Sequence, residues 1–154
     1  MYAKEIERLN VNSIKIIGKA VYQGAKIIAD EVKSNLNNTT TISNGKAIQE
    51  WRKSDKSNLT REQKKGLIES FGVAPIRNDN GFINVKLGFD GYNDVVTKRW
   101  PKGQPNAMVA RSLESGSSVF EKQPFFRPAL SAKRKEAEKT MQETLDEEIK
   151  KITG

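Results

Sequence analysis

Asn78-Asp79-Asn80-Gly81-Phe82-Ile83-Asn84-Val85-Lys86-Leu87-Gly88-Phe89 decides the fold class of this 154-residue chain. Its first four residues are all turn formers, with Asn and Gly suited to a positive φ. Ile83, Val85, Leu87 and Phe89 then alternate with Asn84, Lys86 and Gly88, the two-residue period of a half-buried strand. Asp90-Gly91 is a second turn signal, and residues 95–97 read as a short partner strand. Residues 73–76 supply another strand, which Pro75 confines to a sheet edge. The period of two is confined to this middle region, so the rest of the chain sets what surrounds a small sheet.

Outward from the strand the pattern is helical. Towards the N-terminus Ile14, Ile17, Val21, Ala25, Ile28 and Val32 recur three and four residues apart, the stripe of a long amphipathic helix. Gly18 and Gly24 within it weaken the helix or mark close contact with a neighbour. Asn35, Asn37 and Asn38 predict its end within 34–38. Thr60 followed by Gln63 is a capping box, opening a short helix with Leu67, Ile68 and Phe71 on its apolar edge and Gly72 as its stop. Asn106 is placed to cap a further helix that ends at Gly116. Beyond Pro128, which a first helical turn tolerates, Leu130, Ala137, Met141, Leu145, Ile149 and Ile152 line one face of a long closing helix. The expected fold class is therefore α+β, with a small central antiparallel sheet flanked by long N-terminal and C-terminal helices. One domain over 1–154 is expected, with 37–58 as an insertion or flexible loop that includes a helical turn around Trp51.

Composition narrows the chemistry. The chain holds no Cys and no His, which removes disulfides, thiolate sites, the commonest metal ligand and every Ser-His or Cys-His pair. Catalysis would rest on carboxylates, Lys or Tyr alone, so the chain is not expected to be an enzyme. Asp79, Asp90 and Asp94 lack the alternating oxygens and closing Glu of a calcium loop, and turn chemistry accounts for them. Ser112 and Ser115 face no strained nucleophile turn, and Gly88, Gly91 and Gly103 lack the spacing of a phosphate loop. No metal and no cofactor is expected. Residues 1–9 mix Lys and Glu without an apolar run, and Lys15 and Lys19 interrupt the longest apolar cluster. Neither a signal peptide nor a membrane span is expected, and synthesis is placed in the cytoplasm.

Charge points to partners. The net charge is +8, which suits a polyanion or keeps the chain from self-association. The densest basic stretch runs through Lys46, Arg52, Lys53, Lys56, Arg61, Lys64 and Lys65, with Trp51 among them. Such a surface can neutralise phosphates and stack a base, although no known nucleic-acid-binding motif accompanies it. A solvated or protein-facing surface is the competing account. Hydrophobic residues make up 36% of the chain, so the core is modest and part of the burial is expected from neighbouring subunits.

Two elements remain: Leu113-Glu114-Ser115-Gly116-Ser117, and after a loop Gln123-Pro124-Phe125-Phe126-Arg127-Pro128-Ala129-Leu130 before the closing helix. Physically, Pro124 and Pro128 stiffen the start of that helix, and Phe125 or Phe126 plugs a core beside it. In order, spacing and following helix, the two elements resemble the tail-completion or head–tail joining (neck) proteins of long-tailed phages. The resemblance marks Leu113, Glu114, Gly116, Pro124, Phe125, Phe126, Arg127 and Pro128 as the motif that anchors the last helix. It implies a structural virion protein without catalysis, located in the neck and assembled with copies of itself as a homo-oligomeric ring, expected to be a hexamer. Implied partners are the head connector or stopper proteins, the tail terminator or tail tube proteins, and DNA in the lumen. A tail terminator or head-side stopper of the same neck is the nearest alternative, and a nucleic-acid-binding protein using 46–65 is the more distant one.

Overall fold

The computed structural model describes residues 2–42, 58–118 and 120–153. The fold is α+β, with a long helix towards each end and short strands between. In chain order the elements are α1 (Tyr2–Asn37), β1 (Thr41–Ile42), β2 (Leu59–Thr60), α2 (Arg61–Ser70), β3 (Phe71–Val73), β4 (Arg77–Asp79), β5 (Phe82–Asn84), β6 (Leu87–Phe89), α3 (Asn106–Ser115) and α4 (Phe126–Thr153). The helical turn expected around Trp51, and most of the expected insertion, lie outside the described residues. Among the described residues no helix is long and apolar enough to cross a membrane.

The strands pair in twos. β4 and β5 form an antiparallel hairpin with Arg77 opposite Asn84 and Asp79 opposite Phe82. Asn80 and Gly81 turn it with φ of 54° and 90°, as a two-residue Asn-Gly turn requires, and Asn78 Oδ1 accepts the Gly81 N–H at 2.8 Å. The alternation from Ile83 to Phe89 does not produce one strand. It breaks at Val85 and Lys86, because β5 pairs with β4 while β6 pairs with β3. β1 and β2 run parallel, Thr41 beside Leu59. Residues 95–97 form no strand: the Thr97 N–H and carbonyl are both taken by the Trp100 backbone in a closed turn.

The chain divides into two compact units. Unit 1 comprises Met1–Asp30, Val73–Leu87 and Ala132–Gly154; unit 2 comprises Glu31–Gly72 and Gly88–Ser131.

In unit 1, α1 and α4 lie antiparallel. A Cβ on Gly24 would stand 2.6 Å from Met141 Cγ and 3.3 Å from the Ala137 carbonyl oxygen, so the glycine is what lets the two backbones approach. Lys19 pairs with Glu148, and Lys151 reaches the same carboxylate at 3.1 Å. These hydrogen bonds hold the Glu148 carboxyl below its ordinary range. The expected stripe on α1 ends as read, with Val32 buried, but is displaced at its start. Ile16 and Ala20 are buried, whereas Ile14 and Ile17 are 51% and 41% exposed. Close packing at Gly24 selects the row four residues apart that contains it, and the larger apolar residues on the adjacent row are left outside. On α4 Ala137 is buried, while Ile149 of the expected stripe is exposed.

Unit 2 holds the larger core: Val32 and Leu36 from α1, Leu59, Leu67, Phe71, Val109, Leu113, Phe125 and Ala129. Thr60 and Gln63 complete the expected capping box, Thr60 Oγ1 accepting from Gln63 N–H and Gln63 Oε1 from Thr60 N–H. Gly72 is not the helix stop. Phe71 occupies the cap in extended conformation and runs directly into β3. Asn106 does not cap α3 either; Pro105 holds that position. Asn106 sits buried inside the first turn and donates from Nδ2 to the Asp90 carbonyl at 2.9 Å. Leu130, expected inside, is exposed, and Ala129 takes the buried place one residue earlier.

Candidate functional site

The segment that carries the resemblance forms one connected structure in unit 2. Leu113 is fully buried on the inner face of α3. Gly116 ends the helix at φ 75°. The Gln123 N–H then returns to the Leu113 carbonyl at 2.9 Å, closing the loop between the two motif elements.

Glu114 does what the start of α4 cannot do for itself. The first N–H groups of a helix have no partner within it. Here Glu114 Oε2 accepts from the N–H groups of Phe125 and Phe126 at 2.8 and 2.9 Å, and Oε1 accepts from Arg127 at 2.9 Å. Partial burial by itself would raise the carboxyl's pKa. The backbone N–H groups of Phe126, Arg127 and Phe125, aided by the Arg127 charge, outweigh it and hold the group below its ordinary range. A carboxylate at a helix N-terminus is also favoured by the helix dipole. Glu114 is thus the N-cap of α4, supplied from another helix.

Of the two phenylalanines, Phe125 is the plug, 2% exposed. Its ring stands edge-on to Phe89 at 5.8 Å, and Phe89 in turn stacks at a tilt on Phe71 at 5.1 Å. Each such contact adds about 0.5–1.5 kcal/mol to the burial. The Phe125 carbonyl accepts from Asn35 Nδ2 at 3.0 Å. Gln123 clasps the β1 side, accepting from Thr40 N–H at 3.0 Å and donating to Asn58 Oδ1 at 3.2 Å. Phe126 is half-buried, and Pro124, Arg127 and Pro128 are exposed. Pro128 falls within the first turn of α4, where its missing N–H costs nothing.

The basic cluster is divided. Lys46, Arg52, Lys53 and Lys56 lie outside the described residues. Arg61 is exposed at the start of α2. Lys64 donates to the carbonyls of Asn37 and Thr39 at 2.7 and 2.9 Å, closing the C-terminus of α1. Lys65 lies 4.0 Å from Glu69.

Sequence reading passed over a second feature of unit 2, a cleft of about 370 Å³ whose lining includes Arg99, Trp100, Gln104, Met108, Ser112 and Phe120. A polar lattice stiffens the loop that carries Trp100. Asn93 Oδ1 accepts from the N–H groups of Val95 and Gln104 at 3.0 and 2.9 Å. Gln104 Oε1 accepts from Gln63 Nε2 at 2.8 Å and Asn93 Nδ2 at 3.1 Å. Gly103 has φ 94°, and a Cβ there would stand 1.9 Å from the Asn93 carbonyl oxygen, so no other residue fits. The Arg99 guanidinium lies 5.5 Å from the centre of the Trp100 ring. The signal available in sequence was Lys98-Arg99-Trp100-Pro101-Lys102, an aromatic between cations. Among the described residues no group of three acidic, His or Cys side chains is placed to hold a metal. Compared with protein-family models, curated proteins and solved structures, the chain matches none.

Proposed function

We propose that this protein is a structural, non-enzymatic virion subunit of a phage neck, completing the tail and joining it to the head connector as a homo-oligomeric ring. The reading rests on the resemblance of Leu113-Glu114-Ser115-Gly116-Ser117 and Pro124-Phe125-Phe126-Arg127-Pro128-Ala129 to tail-completion proteins. One observation supports it above the rest. The Glu114 carboxylate of the first element holds the N-terminus of the helix that follows the second, so the two elements serve one purpose and belong together. A second support is the apolar surface of unit 1, where Ile14, Ile17, Ile76 and Phe82 are exposed, as suits a chain that completes its burial against other subunits. The nucleic-acid reading of 46–65 draws less support, since Lys64 is committed to the end of α1.

The test is assembly. Full-length protein mixed with purified connector or tail tube is expected to sediment with one of them and to appear as rings by electron microscopy, with copies counted per particle. A chain that stays monomeric alone and with both partners overturns the reading. Rings seated on the tube instead of between tube and connector point to the tail terminator, and rings on the connector alone point to the stopper.

A further inference from the structure

We propose that the cleft around Trp100 binds a nucleoside phosphate, either a unit of single-stranded nucleic acid or a free nucleotide, with its base against Trp100 and its phosphate on Arg99. The proposal stands independently of the neck reading, and although Thr60 and Gln63 also line the cleft, it uses none of the basic residues between 46 and 65.

Charge selects an anion. Among the described residues no Asp or Glu lines the cleft, and Arg99 is exposed at its edge, with Lys98 and Lys102 exposed on the same loop. The chain as a whole carries +8, which raises the local concentration of anions. An inorganic anion or a simple acidic side chain would leave the rest of the lining unused. Trp100 and Phe120 offer flat apolar surfaces to a base, whose stacking on an aromatic contributes about 1–3 kcal/mol. The guanidinium lies over the Trp100 ring, so the base is expected on the opposite face, and Arg99 is suited to hold its phosphate because Arg presents paired donors to phosphate oxygens.

Polar groups add direction. Gln104 Oε1 is already occupied by two donors, so its amide N–H groups are the edge it has left for a carbonyl on a base. The Ser112 hydroxyl lies along the same lining. A volume of about 370 Å³ is near the lower end of the range for ligand sites, about 300–1,000 Å³. It has room for one nucleotide, and duplex DNA keeps its bases stacked and out of reach. Rigidity favours affinity: the Asn93–Gln104 lattice and Gly103 hold the Trp100 loop before any ligand arrives, so little ordering remains to be done on binding.

The test uses tryptophan emission. The sequence has two Trp residues, so Trp51→Phe leaves Trp100 as the sole reporter in the full chain. Titration with a short oligodeoxythymidine is expected to quench the emission saturably, less so at high salt. Binding is expected to weaken roughly tenfold or more on Arg99→Gln, which removes the phosphate contact. In a Trp100→Leu chain, anisotropy of the labelled oligonucleotide should show a similar loss, with circular dichroism confirming that both variants fold. Thymidine monophosphate binding as tightly as the oligomer assigns the site to free nucleotides, and markedly tighter oligomer binding assigns it to single strands. Either result supports the proposal. It is overturned by the absence of saturable quenching, by equal quenching with duplex, or by binding that survives Arg99→Gln and is lost only on neutralising Lys53, Lys64 and Lys65.

Discussion

The Glu114 carboxylate lies 2.9 Å from the backbone nitrogen of Phe126, so the last turn of α3 supplies the cap for the first turn of α4. Removing the side chain by Glu114→Ala would leave three N–H groups without their acceptor. Capping losses of this kind cost about 1–2 kcal/mol, and Glu114→Gln, which keeps a neutral acceptor, is expected to cost less. Urea unfolding of the three proteins side by side measures both differences.

The same carboxyl makes acid stability predictable. Its folded pKa lies below the ordinary value of 4.5, so the folded state favours the charged form. That contribution is fully present above the unfolded value and is lost as pH falls through the folded one. Stability is expected to be level in this respect from neutral pH to about pH 5 and to decline below the ordinary carboxylate range. Glu114→Gln should flatten that part of the decline in unfolding experiments taken across the acid range. An unchanged slope would show that other carboxylates carry it.

Phe125 and Phe126 are adjacent, identical and expected to behave differently. Phe125→Ala opens a cavity among Phe89, Phe71 and their neighbours and is expected to cost about 3–5 kcal/mol. Phe126→Ala removes a half-buried ring and is expected to cost much less. Thermal melts of the two variants test the assignment, and similar losses would contradict it.

Gly24 separates packing from helix propensity. Gly24→Leu must push α4 away at Met141 and Ala137, and overpacking of this sort costs about 1–3 kcal/mol although Leu is the better helix former. Met141→Ala in the same chain should recover part of the loss by clearing the side chain that Gly24 faces. Additive losses in the double variant would mean that the two residues do not meet.

Gly103→Ala is expected to be the most damaging change to the Trp100 loop. It combines a positive φ, costing about 1–3 kcal/mol for a residue with a Cβ, with a clash against the Asn93 carbonyl that side-chain rotation cannot relieve. Loss of the sharp environment of Trp100 by near-ultraviolet circular dichroism, at a temperature where α-helix content persists, would show the loop loosening on its own.

Local signals were legible in the chain itself. The Asn80-Gly81 turn, the Thr60–Gln63 capping box, the end of α1 among its asparagines and the α+β class all depend on neighbours within a few residues, and each is present in the structure. The motif from Leu113 to Leu130 was legible as an order of residues. Its working part, a side chain on one helix closing the backbone of another, was not, because the contact joins positions that no short-range period connects. The same limit explains the remaining differences. Which apolar row of α1 is buried depends on where α4 comes close, and Gly24 brings it to Ile16 and Ala20 in place of Ile14 and Ile17. Whether 83–89 is one strand or two depends on which partners its ends find. In sequence Trp100 belongs to a Pro/Gly-rich loop, whereas Asn93, Gln104 and Gly103, distant or silent in pattern, hold it at the edge of a cleft. Sequence by itself determined the local hydrogen-bonding and period-driven elements of this protein, along with the absence of His and Cys chemistry. Only the tertiary structure decided which faces are buried and which side chains meet, because burial and long-range contact depend on where the rest of the chain is placed.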